Sequence, residues 1–372
     1  MRTTIAFSQR LIQCPSITPI EGGAITLLEG ELRAMGFTCT RLESGGVVNL
    51  HARLGTEAPH LGFAGHTDVV PIGDAGAWTV DPFGGVVKDD ILWGRGAADM
   101  KCAIACFISA LKTYLNFTPL KGSISLIITG DEEGDATHGT VAMLPWMVEN
   151  GHIPDLCIIG EPASSTTPGD QIKIGRRGSV RGHLVCHGTQ GHIAYPQKAD
   201  NPIPRMLKTL TALSSHILDE GSEHFEPSRL QITTVDVGNP ASNVTPAHIE
   251  ARFGIRFNTH HSGASLKAWM ESVCEQHGGS HTLNVTLGAE PFLTEDNEAI
   301  ARIAKAIETA TGTAPNLSTR GGTSDGRFLI HHCPVIESGM TEEMIHKVDE
   351  HVPIAHIDRL EYIYLSILKE WF

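Results

Sequence analysis

Along the first half of the chain, short unbroken apolar runs alternate with stripes of helical period. VVNLHARL (47–54) and HLGFAGHTDVV (60–70) read as strands, and GSISLIITG (122–130) and DLCIIGE (155–161) as short buried ones. Between them, DMKCAIACFISALKTYL (99–115) carries Met100, Ile104, Ile108, Leu111 and Leu115 at helical spacing, with Asp99 placed to cap its start. GTVAMLPWMVENG (139–151) reads as a second helix. Strands alternating with helices predict an α/β layered fold with a central, mostly parallel sheet.

After about residue 178 the rhythm changes. SVRGHLVCHG reads as a strand, and NPIPRMLKTLTALSSHIL as a helix with Ile203, Leu207, Leu210, Leu213 and Ile217 on one stripe. RLQITTVDVG and HIEARFGIRFNT follow as strands. The second alternates cleanly, with Ile249, Ala251, Phe253, Ile255 and Phe257 on one face and Glu250, Arg252 and Arg256 on the other. The helix ASLKAWMESVCEQHG and the strand HTLNVTLGA complete a β-α-β-β-α-β order, that of a ferredoxin-like sandwich. The helix NEAIARIAKAIETATG then resumes the first pattern. The expectation is a domain over 1–177 and 291–372, interrupted by an inserted domain over 178–290.

Net charge is −14, which argues against nucleic acid and against an anionic membrane surface as partners. No run approaches the ~18 apolar residues that a membrane span needs. Eight scattered cysteines without a CxxC pair suggest reduced thiols and a cytoplasmic protein, with Cys102 and Cys106 as core residues. With twenty histidines, only those in acidic company carry information. Asn-x-Ser/Thr matches and the GRGAAD stretch, which lacks the last glycine of a dinucleotide loop, are set aside.

Several first-domain segments end in acidic or imidazole side chains: His66 and Asp68, Asp99 in GRGAADMK, Glu132 and Glu133 in GDEEG, and Glu161 in GEP. His346 joins them from IHKV. Sites in parallel α/β sheets form at the carboxyl ends of strands, so residues distant in sequence can converge there. Imidazole and carboxylate donors fit two divalent ions with a carboxylate between them. His66 reads as a ligand, and Asp68, two positions on, as the partner of its other ring nitrogen. In GDEEG one carboxylate can bind metal while its neighbour serves as a general base.

GHTDVVP, GRGAADMK, GDEEG, GEP and IHKV, in this order, resemble the di-zinc aminoacylase and carboxypeptidase family. IKIGRRGSV, QGHIAYPQKADNPI, ASNVTP, RFGIRFNT and GGTSDGRF extend the resemblance over nearly the whole chain. It implies a hydrolase that removes an acyl group from an amine, holding two Zn2+ per chain, with Co2+ as a substitute. His66 and Glu161 would bind one ion, Glu133 and His346 the other, and Asp99 would bridge them before a cis peptide. Glu132 would be the general base and Asp68 would orient His66. The inserted domain would be a lid and a dimerisation domain, with His192 reaching the partner subunit's site. Lys173, Arg176, Ser179, Tyr195, Asn243, Arg256 and Thr323 would lie near a small-molecule substrate, and a dicarboxylate substrate of so acidic a chain requires such cations.

Three positions depart from the family pattern: Glu342 and Asp349 where asparagines are expected, and Arg320 before GGTSD. The competing readings are another deacylase or dipeptidase of the family, and a binding protein reusing the scaffold. The second would be expected to lose ligands, yet all are present here.

Overall fold

Strand His60–His66, every residue of it buried, runs through the middle of an eight-stranded sheet. A computed structural model describes residues 3–372 of the chain. In this sheet His60–His66 is parallel to Ser123–Thr129 on one side and to Leu156–Ile159 on the other, and Val335–Glu337 continues the parallel run. The edges differ from the expectation. Thr38–Ser44 and Val47–Leu54 form an antiparallel hairpin that joins Ser123–Thr129, and Gln171–Lys173 pairs antiparallel with Val335–Glu337. The sheet is therefore mixed: four parallel strands lie at its centre, the hairpin forms one edge, and at the other edge Asn316–Ser318 runs parallel to Gln171–Lys173. A two-residue Gly45–Gly46 turn, φ positive at both, closes the hairpin and dictates that antiparallel edge.

Phe63 on the central strand stacks on Phe107 at 4.1 Å between ring centroids, and Tyr364 meets both edge-on. These rings tie the sheet to the helices Cys102–Phe117 and Ile354–Trp371. Gly65, on the same strand, leaves room for Met100, whose Cε would stand 2.4 Å from a Cβ there. All eight cysteines are free thiols, and Cys102 and Cys106 are fully buried core residues.

The chain divides into two compact units. One comprises the chain to Gly175 with Thr294–Ser318 and Ser324–Phe372; the other comprises Arg176–Leu293 with Thr319–Thr323. The second unit holds an antiparallel sheet ordered Arg229–Asp236, His248–Phe257, Gly178–His187, His281–Ala289. Its helices, Ile203–Ser215 and Gly263–His277, share one core with the sheet. The alternation of HIEARFGIRF appears as written, Ile249, Ala251, Phe253, Ile255 and Phe257 all buried. The stripe on the first helix is shifted. Met206, Thr209, Leu210 and Leu213 are buried, while Leu207 is exposed and Ile217 lies beyond the helix end. Among the described residues, no helix is long and apolar enough to cross a membrane.

Candidate metal centre

The three neighbouring parallel strands deliver their carboxyl ends to one place. His66 ends the central strand opposite Thr129, and the chain beyond Thr129 turns through Glu132 and Glu133. Glu161 follows Leu156–Ile159. Asp99 enters from the distorted turn Ala97–Lys101, and His346 from the segment after the short helix Glu342–Met344.

The side chains form two clusters that share one carboxylate. His66 Nε2 lies 3.0 Å from Asp99 Oδ1 and 3.3 Å from Glu161 Oε1. His346 Nε2 lies 2.8 Å from Glu133 Oε1 and 3.7 Å from Asp99 Oδ2. Donor atoms of His66, Asp99 and Glu133 fall within 4.8 Å of one another, as do those of His66, Glu132 and Glu161.

The electrostatics suit a cation. Burial and the charge of Glu161 push the Asp99 carboxyl up to about 7. The same two causes push Glu132 well above the carboxylate range. Burial disfavours a charged His66, but Asp99 and Glu161 outweigh it and raise its pKa well above the ordinary value. Four acidic side chains thus crowd two imidazoles, and burial penalises the charge of Asp99, Glu132 and His66. Nitrogen and oxygen donors so arranged fit divalent ions such as zinc, and Asp99 fits a bridge between two of them.

Two sequence expectations need correction here. Asp99 does not cap the helix that follows. Its backbone is non-helical (φ −126°, ψ 95°), the helix begins at Cys102, and the carboxylate turns to His66 instead. The Asp99–Met100 peptide is cis. Asp68 holds His66 through its main chain: the carbonyl oxygen lies 2.9 Å from His66 Nδ1, while the nearest carboxylate oxygen is 3.7 Å away. The Asp68 carboxylate accepts from Thr18 Oγ1 at 2.6 Å and from the backbone N–H groups of Glu132 and Glu133. The strand ends at His66, so Asp68 no longer alternates with it.

Lys173 is fully buried, and its ammonium group pairs with the Glu342 carboxylate. Asp349 adopts φ 56° and accepts from Thr79 N at 2.8 Å, a conformation and a bond that asparagine also supports. In the second unit, Gly191–His192 pairs with Val244–Thr245, which brings His192, Tyr195 and Asn243 together in an exposed group. Ser179 and Arg256 face each other across the ladder. Partial burial, with Arg177 and Arg181 nearby, lowers the Arg256 pKa, so three guanidinium groups share one locality. Arg176 donates to the Gly322 carbonyl at 3.3 Å, Arg320 pairs with Glu226 at 2.8 Å, and the Thr323 hydroxyl is buried without a hydrogen-bond partner.

Two acidic residues escape the sequence reading. Asp325 is buried, its pKa pushed up to about 6 by desolvation, and its charge bears on Glu132. Glu350 is buried against the turn that carries Asp99. Their only signals were membership of GGTSDGRF and nearness to His346 in IHKVDE.

Residues 62–370 match the model of peptidase family M20/M25/M40. The chain is 49% identical over 374 residues to a succinyl-diaminopimelate desuccinylase of Cereibacter sphaeroides, covering 99% of this chain and 98% of that one. It is 50% identical to the enzyme of the same name from Rhodospirillum centenum, covering 99% and 97%. Among solved structures it is similar to the Bacillus subtilis YXEP protein, described as a dinuclear metal-binding peptidase of the M20 family, with a TM-score of 0.71 at 15% identity, covering 99% of this chain and 97% of that one.

Proposed function

This chain belongs to peptidase family M20/M25/M40, and from that premise we propose that it hydrolyses N-succinyl-LL-2,6-diaminopimelate to succinate and LL-2,6-diaminopimelate, a step of lysine and diaminopimelate synthesis. It is a metal-dependent hydrolase. The observation that carries the reading is the shared carboxylate of Asp99, with His66 and Glu161 on one side and Glu133 and His346 on the other. The substrate follows the names of relatives that match almost end to end.

These five side chains would hold two zinc ions, with cobalt as a substitute. Bound there, such ions polarise an amide carbonyl and make water a nucleophile near neutral pH. Glu132 takes the proton of the attacking water and returns it to the departing amine. Burial and the charge of Glu161 raise its pKa, which strengthens it as a proton acceptor. Asp68 fixes the backbone from which Glu132 projects, and its carbonyl fixes the His66 ring. The cations of the second unit, Arg176 and Arg256, with Ser179, Tyr195, Asn243 and Thr323, would serve the substrate's carboxylates and polar groups.

The same reading makes the protein a cytoplasmic homodimer built through the inserted unit, with His192 of one copy acting in the partner's site. The exposure of His192 and of Ile232, Val235 and Leu287 on that unit supports it.

A second reading, another deacylase or a dipeptidase of the family, is favoured by one observation: Lys173 already holds the carboxylate of Glu342. Succinate release from succinyl-diaminopimelate, measured beside turnover of N-acetylornithine and of dipeptides with the zinc-loaded protein, separates the two. Turnover of the others without turnover of succinyl-diaminopimelate would exclude the first.

A further inference from the structure

Glu350 is almost fully buried, and four donors converge on its carboxylate. Oε2 accepts from Arg95 Nη1 at 2.7 Å and from the Gly96 N–H at 3.0 Å. Oε1 accepts from the N–H groups of Ala98 at 2.8 Å and Asp99 at 3.1 Å. Arg95 also donates to the Lys347 carbonyl, next to His346. Glu350 thus gathers the backbone of the Gly96–Asp99 stretch around one anion, and that stretch ends in the carboxylate shared by the two clusters.

We infer that Glu350 is the positioning residue for Asp99. It sets where both oxygens of that carboxylate point without touching metal or substrate itself. Every group that faces it is a donor, so an acceptor is needed on both oxygens. The isosteric amide fails chemically, because whichever way it is turned its NH2 opposes two N–H donors. Neighbours that orient a ligand typically change metal affinity or activity 10–100-fold when removed.

The inference rests on Asp99 being a ligand, and metal binding separates the two claims. Zinc binding to the metal-free full-length protein is measured by equilibrium dialysis, and the visible spectrum of the cobalt form is recorded for wild type and Glu350→Gln. If wild type takes up fewer than two ions, the reading of the site itself fails. If wild type binds two and Glu350→Gln binds them at least tenfold more weakly, with an altered cobalt spectrum and kcat falling more than KM changes, the positioning role stands. Zinc affinity, cobalt spectrum and kcat all matching wild type would overturn it. Should Glu350→Gln not fold, as judged by circular dichroism without metal, Arg95→Met removes one donor and leaves the carboxylate. A threefold or greater loss of zinc affinity is then expected, and an unchanged affinity would equally overturn the inference.

Discussion

The carboxylate of Asp68 accepts the backbone N–H of Glu132, with both oxygens at 3.2 Å, and reaches no closer than 3.7 Å to the His66 ring. It holds the turn that carries Glu132, the residue proposed as the general base. An asparagine can keep the acceptor for Thr18 and Glu133 on one oxygen, whereas alanine leaves those donors unpaired. Asp68→Ala should therefore lower kcat on the order of a hundredfold or more, and Asp68→Asn less than about tenfold. Steady-state kinetics on both variants, with zinc content checked, tests this. Equal losses would return the role to orientation of His66.

Glu133 meets His346 at 2.8 Å, while Glu132 lies with His66 and Glu161 and has the raised pKa. Glu132→Gln should keep about two zinc ions per chain and lose roughly 10²–10⁴-fold in kcat. Glu133→Gln should lose metal. Metal analysis of the dialysed variants decides, and the opposite pattern would exchange the two roles.

Glu342 neutralises the buried ammonium group of Lys173. If a substrate carboxylate must displace it, Glu342→Asn should raise kcat/KM for a succinylated amine over its acetylated counterpart, by about tenfold for each ~1.4 kcal/mol of competition relieved. A ratio moving that way favours the second reading of the substrate. A fall in kcat/KM for both substrates, with their ratio unchanged, means that Glu342 contributes to binding an ammonium group of the amine they share.

Burial pushes His51 down to about 3 and His60 down to about 4, assisted for both by neighbouring cations and imidazoles. Both rings are neutral in the folded state and protonate more readily once unfolded, with a value near 6.5. The folded state binds fewer protons, so their stabilising contribution is complete above pH 6.5 and is lost as the pH falls towards 4 and 3. For His60 the loss by pH 4 is on the order of 3 kcal/mol. Urea midpoints of the metal-free protein between pH 7 and 4.5 should fall, and His60→Asn should flatten the slope. An unchanged slope would mean that other groups dominate acid unfolding.

The strands that carry the site were legible because they are fully buried and end abruptly in polar residues, as His60–His66 shows. The antiparallel hairpin at one edge was not, since Gly45–Gly46 acts through turn geometry that apolar patterning does not record. Asp99 illustrates the limit at the site. Its place before a helical stripe suggests a cap, the family resemblance implies a bridge before a cis peptide, and the folded chain adds that this non-helical turn is held from the far end of the sequence by Glu350. Asp68 shows the same: sequence spacing pairs side chains, but a main-chain carbonyl took the contact. Glu342 could be marked as unusual, while its partner Lys173, distant along the chain, could not be deduced.

His66 and His346 stand 280 positions apart (346 − 66), with the whole second unit encoded between them. Synthesis from the ribosome therefore completes the two clusters at different times. The pocket of His66, Asp99 and Glu161 has all its side chains once the strand Leu156–Ile159 and the residues just after it have emerged. Glu133 waits for its imidazole until nearly everything else has been made, and so does the Glu350 carboxylate that gathers the Asp99 turn. A chain interrupted in the second unit carries one of the two histidines, and lacks both Glu350 and the strand Val335–Glu337 that lies beside Leu156–Ile159. The two proposed metal sites therefore have all their side chains only once the IHKVDE segment has been made.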